Sequence, residues 1–285
     1  MQNGRLTTIE GSAPLPTGYD RSTRLFARDR NDYDIWGSEL FQKDWYRDVS
    51  VRRLLLDRLN VRGSERAIDV GCGDGAMLSD LAKIGCASVG VDAATELLER
   101  TAEKFKEVPT VCVRSGRFEE LAWQMPTPFD VVISKNVLHL IPDIGVFFKA
   151  LRSVLSPSGR LGIIETVSPT PAANSFVKEL FEMAGLAYAK AHYFNKSDLV
   201  KMLADQGFQV SDVKFHRQSI LLEQWLRAKE VNDRRISDCR RLVKNLSPQV
   251  KSAMRVQRVE GRFDWRLLRL QCIVVGTPLR HNARK

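Results

Sequence analysis

The segment Ala67-Ile68-Asp69-Val70-Gly71-Cys72-Gly73-Asp74-Gly75 constrains this chain more than any other stretch of it. A short apolar run, Ala67 to Val70, carries Asp69 just before its end and is followed by three alternating glycines. The run reads as a buried strand, and Ala76 to Ile84 continues as a helix. Glycines at such a turn let the chain bend tightly and bring backbone N–H groups against a ligand. The carboxyl ends of parallel strands are where open α/β sheets bind ligands. Asp92, 17 residues after Gly75, ends the next strand. A carboxylate there can accept two hydrogen bonds from ribose hydroxyls. Gly71, Gly73 and Ala76 also satisfy the dinucleotide pattern G-x-G-x-x-G/A, so a nicotinamide oxidoreductase is a competing reading. Asp69 weighs against it: its charge repels a pyrophosphate and welcomes an ammonium group.

The alternation of strand and helix continues down the chain. Strands are expected at Ser88–Val91, Thr110–Val113, Phe129–Ser134 and Leu161–Ile164, with helices at Thr95–Lys106 and Asp143–Leu155 and a turn at Ser156-Pro157-Ser158-Gly159. This pattern implies a mostly parallel sheet with helices on both faces. After Ile164 it changes. Helices are expected at Ala172–Lys190 and Asn195–Asp205, a strand at Phe208–Phe215, two or three basic amphipathic helices over 219–260, and a last strand at Trp265–Val275. Ser247-Pro248 reads as a cap with a first-turn proline. Before the sheet, apolar residues from Asp34 to Leu59 recur at helical spacing. The domain plan is therefore an N-terminal extension and helical cap (1–60), a core (61–217) with a lid insertion at about 167–196, a basic helical insertion (218–263), and the last strand with its tail (264–285).

Charge is unevenly placed. Residues 213–285 hold 18 Lys and Arg against 6 Asp and Glu, a net of +12 within a chain whose total is +10. A solvated helix face accounts for such a surplus; an acidic substrate, an RNA or an acidic partner could also exploit it. Apolar residues make up 44% of the chain, enough for a sizeable core. No run approaches the roughly 20 residues that span a bilayer, so no membrane is expected, and no signal-peptide stretch is visible. The five cysteines form no C-x-x-C pair, and neither a disulfide framework nor a zinc site is expected. A reducing, cytoplasmic setting follows as the expectation.

These motifs resemble those of class I S-adenosylmethionine-dependent methyltransferases, most closely members that methylate small molecules. AIDVGCGDG looks like their first motif, VGVDAATELLERT like their second, and FDVVISKNVLHLIPD like their fourth-strand motif. LRSVLSPSGRLGIIE and YFNKSDLVKMLADQGFQV resemble the stretches through the fifth strand and before the sixth. The resemblance covers roughly residues 35–217 and resumes at the last strand. It implies a Rossmann-like, seven-stranded, mostly parallel sheet and S-adenosylmethionine as cofactor. Gly71, Gly73 and Gly75 would then line the methionine end, with Asp69 near its ammonium. Asp92 would bind the ribose, Ala93 would lie against the adenine, and Ser134 would end the fourth strand beside the donor. Where many relatives carry Gly-Asp-Ala-Glu, this chain has Gly116-Arg117-Phe118-Glu119. An Arg cannot accept a hydrogen bond from the adenine amine, which leaves the backbone of Phe118, or Glu119, for that contact.

Methyl transfer from a sulfonium is an in-line displacement, so the enzyme chiefly orients its reactants. A general base is needed where the nucleophile starts protonated. His192, of the residue type that exchanges protons near neutral pH, lies in the expected lid and is the favoured base. Glu165 at the end of the fifth strand comes next, with Tyr193 alongside. His139 reads as scaffold of its motif, and Cys72 as a small turn residue. Tyr33, Trp36, Tyr46 and Tyr193 are aromatic candidates to stack on a planar small-molecule acceptor. The insertion 218–263 is expected to serve as a substrate cover, or else as a homodimer surface or an RNA platform. An RNA or protein acceptor ranks second, since Lys135-Asn136-Val137-Leu138 lacks the Asn/Asp-Pro-Pro-aromatic sequence common in nucleobase amino-methylation. A non-catalytic donor-binding protein ranks third.

Overall fold

The computed structural model describes residues 49–125, 128–186, 192–260 and 264–279. Helix α1 (Val49–Leu59) is amphipathic, burying Val51, Leu55 and Leu59 on one stripe. Strand β1 (Arg66–Val70), helix α2 (Ala76–Ile84), β2 (Ala87–Asp92), α3 (Thr95–Phe105), β3 (Val111–Ser115) and the short α4 (Phe118–Leu121) follow. Then come β4 (Phe129–Lys135), α5 (Ile144–Val154) and β5 (Leu155–Val167). Asp143 caps α5 by accepting from Val146 N–H.

The sheet runs β3-β2-β1-β4-β5-β8-β6, where β6 spans Phe208–Leu221 and β8 Trp265–Pro278. The first five are parallel and β8 is antiparallel to both neighbours. This is the expected Rossmann-like architecture of seven main strands. A two-residue strand, β7 (Gln257–Arg258), also pairs with β8; it is too short to leave a periodic signature. Alternate strand residues face opposite layers. Val132, Ile163 and Val274 pack with α5 and α7 (Lys196–Asp205), while Ile133, Ile164 and Ile273 pack with α1, α2 and α3.

Several boundaries differ from expectation. The turn at Ser156–Gly159 lies within the span of β5, as a bulge between the pairs Phe129–Leu155 and Val131–Arg160. Helix α6 (Pro171–Ala184) stops six residues before Lys190. Gly185 ends it in the left-handed region (φ 75°), where its N–H closes onto the last helical carbonyls. Strand β6 runs to Leu221 because Ser219, Ile220 and Leu221 keep register with β8. The basic stretch holds three helices, α8 (Leu222–Arg227), α9 (Asp233–Asn245) and α10 (Pro248–Ala253), the last capped by Ser247. They pack with α6 over the extended β6–β8 pair in a third apolar cluster built on Phe176, Phe181, Leu226, Ile236 and Val243. Among the described residues no helix is long and apolar enough to cross a membrane.

Candidate active site

One cavity of about 390 Å³ opens at the carboxyl ends of β1, β2, β4 and β5 and reaches under α6 and α8. Its two halves differ in chemistry.

The first half is built on the glycine turn. The backbone N–H groups of Gly71 and Cys72 both donate to the Val91 carbonyl, at 2.7 and 3.1 Å, and tie the turn to β2. Gly71 has φ 75°, and a Cβ there would clash with Val137 Cγ2. Only glycine satisfies both demands. Asp92 secures the turn from the other side, accepting from Gly73 N–H at 2.8 Å and Ala94 N–H at 2.9 Å. Each carboxylate oxygen can accept more than one hydrogen bond. Asp69 lines the cavity yet is only 2% exposed. Burial raises its carboxyl to about 7, against the pull of Lys135 and with a push from Asp92 and Asp74. Burial likewise lowers the Lys135 ammonium to about 8, aided by Arg269 and Arg52.

Of the sequence-derived cofactor residues, Asp69, Gly71, Gly73, Asp92, Ala93, Arg117 and Phe118 line this half. Gly75 and Ser134 do not. A Cβ on Gly75 would meet Phe105 and Thr101, so that glycine faces α3, and Ser134 is buried within the sheet (1% exposed). Glu119 does line the cavity. Its carboxyl is raised by burial. Arg52 and Lys135 are further lining residues that pattern reading missed; only folding carries α1 and the end of β4 to the same mouth.

The second half is apolar. Phe176 and Leu180 from α6, Trp225 from α8, and Leu268 and Leu270 from β8 line it, with Tyr193 at the junction. Tyr33, Trp36 and Tyr46 lie outside the described residues. Between the halves sits His139, which lines the cavity and whose Nδ1 lies 2.8 Å from Glu165 Oε1. Glu165 is fully buried, and it also accepts from Thr166 N–H at 2.7 Å. A carboxylate only accepts, so Nδ1 carries the hydrogen and the neutral ring has its lone pair on Nε2. His192 is placed otherwise. Its Nε2 is 2.9 Å from the Ile141 carbonyl and its N–H donates to the His139 carbonyl. A carbonyl cannot donate, so Nε2 holds its hydrogen there, and the ring does not line the cavity. His192 braces the turn that carries His139. The sequence singled out Glu165 as a candidate and read His139 as scaffold; it held no signal for their pairing across 26 residues.

A family profile described as "Methyltransferase domain" matches residues 43–213. This chain is a class I S-adenosylmethionine-dependent methyltransferase. The methyltransferase is 30% identical, over 174 residues, to a ubiquinone biosynthesis O-methyltransferase of Xanthomonas euvesicatoria pv. vesicatoria, covering 59% of this chain and 70% of the relative. It is 28% identical over 176 residues to the mitochondrial ubiquinone biosynthesis O-methyltransferase of Schizosaccharomyces pombe (58% and 63% covered). In fold it resembles a putative methyltransferase from Bacillus halodurans, with a TM-score of 0.72 at 19% identity over 81% of this chain and 100% of that one. The YcgJ protein of Bacillus subtilis gives 0.71 at 17%, over 81% and 98%.

The methyltransferase uses S-adenosylmethionine, and the residues present fit it. A cavity with a buried carboxylate raised to about 7, Asp69, is a place that gains from a cation. A second carboxylate, Asp92, lines the cavity beside it, and Phe118 offers an apolar face.

Proposed function

We propose that this methyltransferase methylates a hydroxyl oxygen of a small molecule with an apolar body, and that His139, held by Glu165, is its general base. In this reading Asp69 holds the methionine ammonium, Asp92 the ribose hydroxyls, and Ala93 and Phe118 the adenine. Arg52 and Lys135, at the same mouth, face the methionine carboxylate. When bound, S-adenosylmethionine supplies a methyl group already activated by its positively charged sulfur.

The observation that carries the proposal is the cavity-lining imidazole whose Nδ1 rests on a fully buried carboxylate. A hydroxyl is a poor nucleophile until its proton leaves. His139 Nε2 takes that proton, and Glu165 stabilises the imidazolium while fixing the ring's tautomer and direction. His192 and Ile141 hold the supporting turn. Phe176, Leu180 and Trp225 exclude water and favour an apolar acceptor. The names of the 30% identical relatives support oxygen as the methylated atom.

Incubation with labelled donor and a metabolite extract, followed by mass spectrometry, identifies the product; an O-methylated metabolite is expected. His139→Gln should then lower kcat by about 100- to 10,000-fold, and S-adenosylhomocysteine should still bind. Undiminished turnover in that variant would remove His139 from the role. Retention of RNA that weakens steeply with salt would favour a nucleic-acid acceptor instead.

A further inference from the structure

Asn136 follows β4 in a left-handed backbone conformation (φ 57°), which Asn tolerates better than most residues. Its N–H is anchored on the Ile164 carbonyl at 2.7 Å. The residue is 9% exposed and lines the cavity. Its Oδ1 accepts from Thr166 Oγ1 at 3.2 Å, and that hydroxyl accepts in turn from Arg269 Nη2 at 3.4 Å. The chain of bonds runs one way, so Oδ1 is committed to the β5 side. The amide nitrogen is left buried, with no hydrogen-bond partner among the described residues. A buried amide donor without an acceptor is costly, and native structures seldom keep one without a reason.

Thr166 follows Glu165 on β5, and Asn136 lines the same cavity as His139. Arg269 lines the cavity at the same wall. This wall therefore presents donors, an amide N–H and a guanidinium, to the cavity that Phe176, Leu180 and Trp225 also line. The ligand chemistry that matches is an oxygen group with negative charge.

We infer that the acceptor carries an anionic oxygen group of the carboxylate class next to the hydroxyl that is methylated, and that Asn136 and Arg269 bind it. The inference rests on the reading of the apolar half as the site of a hydroxylated acceptor. Such a group also sets the acceptor's orientation: its apolar body points under α6 and α8, and its hydroxyl meets His139.

The test compares three acceptors with one alkyl-substituted ring: the 2-hydroxybenzoic acid, its methyl ester, and the phenol without the acid group. The wild-type enzyme should favour the acid over the ester and the phenol by about 10- to 100-fold in kcat/KM, the range of a hydrogen-bonded charge. Asn136→Asp keeps the left-handed backbone and the Thr166 contact, removes the donor and opposes an anion. That variant and Arg269→Gln should each collapse the preference, mainly through KM, while calorimetry shows S-adenosylhomocysteine affinity kept within about twofold. Equal turnover of phenol and acid by the wild type would overturn the inference and leave O-methylation standing. A parallel loss of S-adenosylhomocysteine affinity in Asn136→Asp would overturn it too, by assigning the amide to the cofactor. Turnover of none of the three would count against both readings.

Discussion

Asp69 shows how one residue can trade stability for binding. Its carboxyl has a folded-state value of about 7 against an ordinary 3.8, raised chiefly by burial. The folded state therefore holds this proton longer than the unfolded chain does. Its contribution to stability is present below the unfolded value and is lost as pH rises through about 7. Ligand-free protein should thus gain stability from Asp69→Asn at pH 8, by on the order of a few kcal/mol less what the uncompensated Lys135 takes back. The gain should shrink as pH falls from 7 towards 4. Thermal melts of both proteins across this range check the sign. The same substitution should weaken S-adenosylmethionine binding by about 10- to 100-fold at pH 8, because the ammonium loses a charged partner. In the wild type, binding should strengthen from pH 6 to 8 as Asp69 ionises.

At the scale of elements, caps decide where the chamber's walls begin. Helix α7 starts with a capping box: Asn195 Oδ1 accepts from the N–H groups of Ser197 and Asp198, and Asp198 accepts from Asn195 N–H. Just before it, Phe194 O accepts from Ser168 N–H at 2.8 Å, and Asn174 Nδ2 donates to the Tyr193 carbonyl at 2.9 Å. The cap therefore also sets the exit of the segment that brings Tyr193 to the cavity. Asn195→Ala should cost about 1 kcal/mol, read as a lowered denaturation midpoint. An unchanged midpoint would mean that packing of Leu199 and Leu203, not the cap, holds this helix.

For the whole molecule, the cavity is shared between two bodies of structure. The parallel sheet supplies the turn, the carboxylates and the base. The extended β6–β8 pair carries α8, α9 and α10 over α6, and the cluster between them walls the apolar half. Trp225 and Phe181 pack with ring centroids 5.3 Å apart at that wall. Trp225→Ala should raise KM for an apolar acceptor by about tenfold, the scale of partial loss of a buried aromatic contact, with S-adenosylhomocysteine affinity kept. Equal losses for cofactor and acceptor would show that the two halves fold as one unit instead.

The sheet and the cofactor turn were legible in the sequence because their signals are local. The strand before the glycines, the acid 17 residues after Gly75 and the α/β alternation are patterns of neighbours along the chain. The apolar stripes of α8 and α9 were legible for the same reason, since Leu222, Leu226, Ile236, Cys239 and Val243 recur at helical spacing and are buried. Boundaries were less so: Gly185 stops α6, and pairing with β8 prolongs β6 to Leu221, a cross-strand effect that no local window contains. Side-chain partnership belonged to tertiary structure alone. His192 and His139 are alike as residues, but only the packed fold seats one on a carbonyl and the other on Glu165. In the same way, a single asparagine in a strand motif says nothing of its direction until Thr166, thirty residues on, takes its oxygen and turns its nitrogen inward. Local spacing determined which family of sheets this chain could form. The long-range contacts, made when the sheet closed, decided which of its polar atoms face the cavity.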